Sequence, residues 1–130
     1  MGNIPGRLSG VYILVVDDNW EARDLHKMSL QHFGAVVQAV DSATAALDSV
    51  RRATPDVIVS DLAMPGADGR WLLNELRKTP RAFAIPVVAV TAHGNRYDRE
   101  AMLREGFADY LTKPLSPEKL CEAIARLVGR

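Results

Sequence analysis

Cysteine is all but absent from this chain of 130 residues: Cys121 stands alone, so no internal disulfide can form and no zinc site can be built from thiolates. A reducing, cytoplasmic compartment is the expectation that follows. An excess of charge of either sign is missing too. Sixteen basic and sixteen acidic side chains cancel to a formal net charge of zero, which argues against a broad cationic nucleic-acid surface or a polybasic membrane patch. Long apolar runs are also missing. The longest is about six residues, against the roughly 20 needed to cross a bilayer. No secretory leader is visible, because residues 1–10 hold three glycines and a proline in place of an apolar stretch. Gly6 stands where a myristoylation start wants Ser or Thr. Short-period repeats and low-complexity tracts are absent. No Gly-x-Gly-x-x-Gly follows the first apolar run, which excludes a dinucleotide-binding turn.

What remains is globular material. Hydrophobic residues make up 48% and charged residues 25%, an ordinary balance for a folded domain. The length suits one core that buries roughly two-thirds of the unfolded surface. Residues 1–10 read as a flexible lead-in and residues 11–130 as the domain.

Short apolar runs and helical stripes alternate along that domain. Residues 11–16 (VYILVV) form a continuous β-branched run, as a strand buried on both faces should. Residues 19–33 carry Ala22, Leu25 and Met28/Ser29 at helical spacing, and Gly34 stands as the stop. Residues 35–40 (AVVQAV) are the second strand. Ser42 is placed to cap a helix with Ala43, Ala46, Leu47 and Val50 on one face, which has ended by Pro55. Residues 57–60 (VIVS) are the third strand, and Asp68 can cap a helix carrying Leu72, Leu73 and Leu76. Residues 87–90 (VVAV) are the fourth strand, and residues 95–105 the least patterned helix, ended by Gly106. Residues 108–111 are the fifth strand. Ser116-Pro117 then supplies a cap and a first-turn proline to a helix with Leu120, Ile124 and Leu127 on one face. The alternation predicts βαβ units, hence an α/β fold with a parallel sheet covered by helices on both faces.

The informative residues are those that follow the strands. Strand one runs into Asp17-Asp18, strand three into Asp61, strand four into Thr91 and strand five into Thr112-Lys113. In an open α/β sheet these positions share one edge, at the carboxyl ends of the strands, where ligands bind. Singly, each has a structural reading. An Asp after a strand is often a helix cap or turn residue, and Asp18 is placed to cap the first helix. Together they need another account, because three carboxylates at one crevice repel one another unless a proton or a cation intervenes. Hard oxygen ligands without a His-Cys set favour Mg²⁺, which takes one or two carboxylates with water and phosphate oxygens. An ammonium and a hydroxyl complete a set suited to phosphoryl transfer, with one carboxylate left as nucleophile.

At this point the chain resembles the receiver domains of two-component response regulators, typified by the bacterial chemotaxis regulator. The likeness covers residues 11–128 and rests on VVDDN, VSDLAMPGADG, VVAVTAHG and DYLTKP, each behind its own strand. The resemblance implies a flavodoxin-like doubly wound sheet of strand order 2-1-3-4-5 between two helical layers. It implies that Asp61 is the phosphoacceptor. Asp18, Asp61 and the backbone carbonyl of Ala63 would bind Mg²⁺, with Asp17 acting mainly through water. Lys113 would neutralise the phosphoryl group. Thr91 would move toward it, and Tyr110 would turn from exposed to buried with it, reshaping the face of the fourth helix, fifth strand and fifth helix. Pro114 falls at a cis peptide position, and Pro65 and Gly69 fit the loop after Asp61. Ala63 is small and apolar where other members carry an amide or polar side chain, and it flanks the approach of water together with His93, which bears on the phosphoryl lifetime.

The implied partners are a histidine kinase or a histidine phosphotransfer protein, with no nucleic acid and no membrane engaged by this chain. It would be a single-domain regulator or the receiver of a hybrid sensor kinase, with no independent enzyme activity beyond its own phosphorylation and dephosphorylation. Phosphatases of the haloacid-dehalogenase type also use an Asp nucleophile and Mg²⁺. They need a second Asp two residues on, where this chain has Ala63 after Asp61 and Asn19 after Asp17. His26 and His32 read as structural or solvated, Trp20 and Trp71 as core or rim. The helix-end pairs Arg51-Arg52 and Arg77-Lys78 suit the helix dipole.

Overall fold

Five strands alternate with five helices in the computed structural model, which describes residues 5–94 and 96–130. In chain order they are β1 (Tyr12–Val16), α1 (Trp20–His32), β2 (Val36–Val40), α2 (Ala43–Arg52) and β3 (Val57–Asp61). They continue with α3 (Gly69–Arg77), β4 (Val87–Thr91), α4 (Arg99–Glu105), β5 (Asp109–Thr112) and α5 (Pro117–Val128). All four strand pairings are parallel, and the order across the sheet is β2-β1-β3-β4-β5. This is the flavodoxin-like order expected above.

Alternation along each strand divides the core in two. Leu14, Val16, Ile58, Val87 and Ala89 point to the face covered by α2 and α3, while Ile13, Val15, Val57, Val59, Val88 and Val90 point to the face covered by α1 and α5. β3 and β4 are buried along their whole length. That is why they read in sequence as unbroken apolar runs.

Each helix starts on a side-chain cap. Asn19, Ser42, Asp68, Asp98 and Ser116 accept from the backbone N–H of Ala22, Ala45, Trp71, Ala101 and Lys119. The first of these corrects the expectation for Asp18. Asn19 takes the cap, which leaves the Asp18 carboxylate available to the crevice. α4 is shorter than expected: residue 95 lies outside the described residues, and the helix begins at Arg99 because Asp98 caps it.

α1 is also turned differently. Leu25 and Met28 are exposed, and the buried face carries His26 and Leu30. Ala22, His26 and Leu30 recur every four residues, so the inner stripe was present but interrupted by a polar residue. Trp20 and Trp71 are exposed and belong to neither core cluster.

Residues 1–4 of the lead-in expected to be flexible lie outside the described residues. Residues 5–10 form turns, and Leu8 is 0% exposed within the α1/α5-side core. The Leu8 N–H donates to the Phe33 carbonyl at 2.8 Å. Among the described residues, no helix is long and apolar enough to cross a membrane.

Candidate functional site

Parallel pairing brings the carboxyl ends of β1, β3, β4 and β5 to one edge, and the turns that follow them deliver the polar residues. Asp17 leaves β1, where its N–H donates to the Val40 carbonyl. The residue is 2% exposed. Asp61 is the last residue of β3 and is 8% exposed. Thr91 ends β4, and its hydroxyl is fully enclosed.

The turn after Asp61 depends on Gly69. A Cβ there would lie 2.6 Å from the Asp61 carbonyl oxygen and 3.2 Å from the Leu62 Cα. Only glycine lets the start of α3 press this closely on the strand end. The Ala63 N–H then folds back to the Asp61 Oδ1 at 3.1 Å, orienting the carboxylate. The Ser60 hydroxyl donates to the Asp61 carbonyl at 3.0 Å.

Lys113 reaches in from the far side, and the Lys113–Pro114 peptide bond beyond it is cis. Its Nζ lies 2.8 Å from Asp17 Oδ2 and 3.4 Å from Asp61 Oδ2. One ammonium thus bridges carboxylates 96 and 52 residues away in the chain. Burial alone would lower the pKa of Lys113. The hydrogen bond and charge of Asp17, with the charge of Asp61, outweigh burial and raise it. Asp61 is pushed up from its ordinary range by burial. The charge of Lys113 and the Ala63 N–H oppose that rise, and the charge of Asp17 reinforces it. The site therefore holds more negative charge than its one ammonium neutralises.

Carboxylate oxygens of Asp17, Asp18 and Asp61 all lie within 4.8 Å of one another. Asp18 is exposed, so the cluster opens to solvent on that side. Three hard oxygen donors converging without thiolate or imidazole are a set that fits a Mg²⁺ ion. Beside them a cleft of about 400 Å³ is lined by Asp18, Ala63, Met64, His93, Arg96 and Tyr97, among others. A larger side chain at position 63 would narrow it.

Two residues expected to move are held in definite positions. The Thr91 hydroxyl accepts from the His93 backbone N–H at 2.9 Å. Tyr110 is 6% exposed, and its hydroxyl donates to the Tyr97 carbonyl at 3.1 Å. Its ring is already turned inward here, where the sequence expectation has it starting outside.

Sequence reasoning missed several supports. Arg23 donates to the Asp17 carbonyl at 2.9 Å, and the Asn19 N–H donates to Asp17 Oδ1 at 3.0 Å. Buried His26 stands near the same cluster. Burial and the charge of Lys113 lower its pKa, against an opposing pull from Asp17. A helical period of four from Ala22 to Leu30 was the signal that placed it inward.

The family described as response regulator receiver domain matches residues 13–125. The chain is 42% identical over 117 residues to an uncharacterized 14.6 kDa protein in the sodA1 3′ region of Leptolyngbya boryana, covering 90% of this chain and 89% of that protein. It is 36% identical over 120 residues to the sensor histidine kinase GacS of Pseudomonas protegens. That match covers 90% of this chain but only 13% of the kinase. A solved structure with a TM-score of 0.85 is the receiver domain of the sensor histidine kinase PA1611 from Pseudomonas aeruginosa, with a magnesium ion coordinated in its active site cleft. That structure is 31% identical, and the match covers 94% of this chain and 100% of that one.

Proposed function

The chain belongs to the response regulator receiver domain family, and on that premise we propose that Asp61 accepts a phosphoryl group from the histidine of a kinase or phosphotransfer protein. Receivers of two-component systems work with such proteins. A reducing, cytoplasmic setting fits the single buried cysteine.

The observation that carries the reading is the convergence of Asp17, Asp18, Asp61 and Lys113. In the step proposed, an Asp61 carboxylate oxygen attacks phosphorus in line with the phosphorus–nitrogen bond of phosphohistidine. That bond breaks as the new one forms, and its electron pair returns to the imidazole nitrogen. Lys113 offers positive charge to the phosphoryl oxygens, exchanging part of its contact with Asp61 for contact with the incoming group. The Ala63 N–H holds the Asp61 carboxylate in one orientation, which places the attacking oxygen before the donor arrives. Asp17, Asp18 and Asp61, with the carbonyl of Ala63, are the residues proposed to hold Mg²⁺. When bound, Mg²⁺ supplies charge that offsets the carboxylates and the phosphoryl oxygens.

For the switch, Thr91 is proposed to exchange its bond from the His93 N–H for one to the phosphoryl group. The inward Tyr110 gives this a particular form: phosphorylation would secure a ring position already available, shifting a two-state balance.

The test is phosphorylation by acetyl phosphate with and without Mg²⁺, read by intact-mass spectrometry. Wild type is expected to gain one phosphoryl group only with Mg²⁺, and Asp61→Asn to gain none. A stable adduct on Asp61→Asn would move the acceptor elsewhere.

A further inference from the structure

β2 is an outer strand of the sheet, and β1 is its one strand neighbour among the described residues. The parallel register fixes where its backbone groups point. The Val36 N–H donates to the Val11 carbonyl, and the Val40 carbonyl accepts from the Asp17 N–H. Val36, Gln38 and Val40 therefore direct their backbone groups to β1, while the N–H and C=O of Val37 and Ala39 point out from the open edge. Such edges are normally blunted by charge, proline or a bulge. The strand VVQAV carries no charge and no proline, and its register with β1 runs unbroken. Val36 is 59% exposed, and Gln38 is exposed as well.

We propose that this edge binds a second copy of the same chain, β2 pairing antiparallel with β2 about a two-fold axis through Gln38. In that register Val37 faces the partner's Ala39, and Ala39 faces the partner's Val37. Each facing pair exchanges both backbone bonds, so no outward N–H or C=O of the strand is left over. Gln38 meets the partner's Gln38 in a close pair without backbone bonds, where two neutral amides can bond side chain to side chain. Exposed Val36 meets the partner's Val40 on the same face of the strand.

The charges beside the edge favour this occupant over a peptide of one sign. Two grooves meet at Ala39, one lined by Trp20, Arg23, Asp24 and Lys27, the other by Arg23, Val40, Asp41 and Ala45. Arg23 and Lys27 are balanced there by Asp24 and Asp41. A strongly acidic or basic strand meets repulsion as well as attraction, whereas a two-fold copy brings the same balanced set. The two-fold also closes the contact, so association stops at the dimer. The pairing stands whether or not Asp61 is the phosphoacceptor.

Sedimentation of the unphosphorylated full chain from about ten micromolar to about one millimolar, the range in which a small contact associates, tests this. Wild type should pass from monomer to dimer across that range. Gln38→Lys and Gln38→Glu each set like charges opposite one another at the axis and should weaken association about ten-fold or more. An equal mixture of the two variants should restore the dimer to at least the wild-type level, which misfolded variants could not do. In NMR amide exchange of wild type, Val37 and Ala39 should slow as concentration rises, while Gln38, already bonded to β1, should hold steady. Wild type that stays monomeric would leave the edge to a strand of another protein. A dimer indifferent to both Gln38 variants would use another face, and a mixture that stays monomeric would remove Gln38 from the axis. Dimerisation without slowing at Val37 and Ala39 would exclude strand pairing. Each of these results overturns the proposal.

Discussion

Leu8→Ala is expected to cost this domain about 2–3 kcal/mol, at the lower end of the range for emptying a buried leucine site. Leu8 is 0% exposed and packs into the cluster that holds Leu30, Phe33 and Ile124. Its backbone is pinned on both sides, by Leu8 N–H to the Phe33 carbonyl at 2.8 Å and Val11 N–H to the Leu8 carbonyl at 2.9 Å. These bonds limit how far the segment can move after truncation, so part of the cavity remains. The segment precedes β1 and can settle partway into the gap, which sets the lower end of the range. For a domain of this size the melting temperature falls by about 4 °C for each kcal/mol, so a drop of about 8–12 °C is expected. Thermal melts followed by circular dichroism, with urea midpoints at unchanged slope, measure it. Phosphorylation by acetyl phosphate should be unaffected at a temperature where the variant is folded, because Leu8 sits at the end of the sheet opposite Asp61. Gly34→Ala should destabilise too. Its φ is +94°, and an added Cβ would meet the Ser9 Oγ at 2.8 Å. A Leu8→Ala loss below about 0.5 kcal/mol, the scale of an ordinary surface change, would refute the docked lead-in.

Other outcomes follow from the site. Mg²⁺ at ten times its dissociation constant should stabilise the fold by about 1.4 kcal/mol if only the native state binds it, and Asp61→Asn should weaken that gain; an unchanged melt in millimolar Mg²⁺ with no heat of binding would contradict the metal site. Thr91→Ala should still be phosphorylated on Asp61, yet beryllofluoride should no longer shift the NMR amide signals around Tyr110 and α4. Identical shifts in wild type and variant would remove Thr91 from the relay. Burial, with the charge of Asp98 reinforcing it, raises the Tyr110 pKa above its usual 10.0, against the pull of Arg99. Its contribution to stability is therefore complete below that value and lost as pH rises through the folded-state pKa. Ultraviolet titration should show one of the three tyrosines ionising late, and Tyr110→Phe should abolish that step.

The order of elements and the polar residues at the strand ends were legible in the sequence because both are local patterns. An apolar run such as VYILVV or VVAV marks a strand buried on both faces, and parallel connectivity then carries Asp17, Asp61, Thr91 and Lys113 to one edge. The caps at Ser42, Asp68 and Ser116 were equally plain, since a cap needs only its own next turn. What the tertiary structure decided depends on residues far apart in the chain. The turn of α1 that hides His26 and exposes Leu25 is set by the surface on which the helix lands, because the spacing offers both an Ala22-His26-Leu30 stripe and an Ala22-Leu25-Met28 stripe and does not choose between them. Leu8 is buried because Phe33 offers it a carbonyl and the α1/α5 layer a pocket, neither visible from a Gly-rich stretch. The inward Tyr110 rests on a bond to Tyr97, and the hold on α4 rests on arginines from α3 and contacts on β5. Charged side chains are long and their pairing partners many, so only the folded backbone selects which carboxylate or carbonyl each one meets.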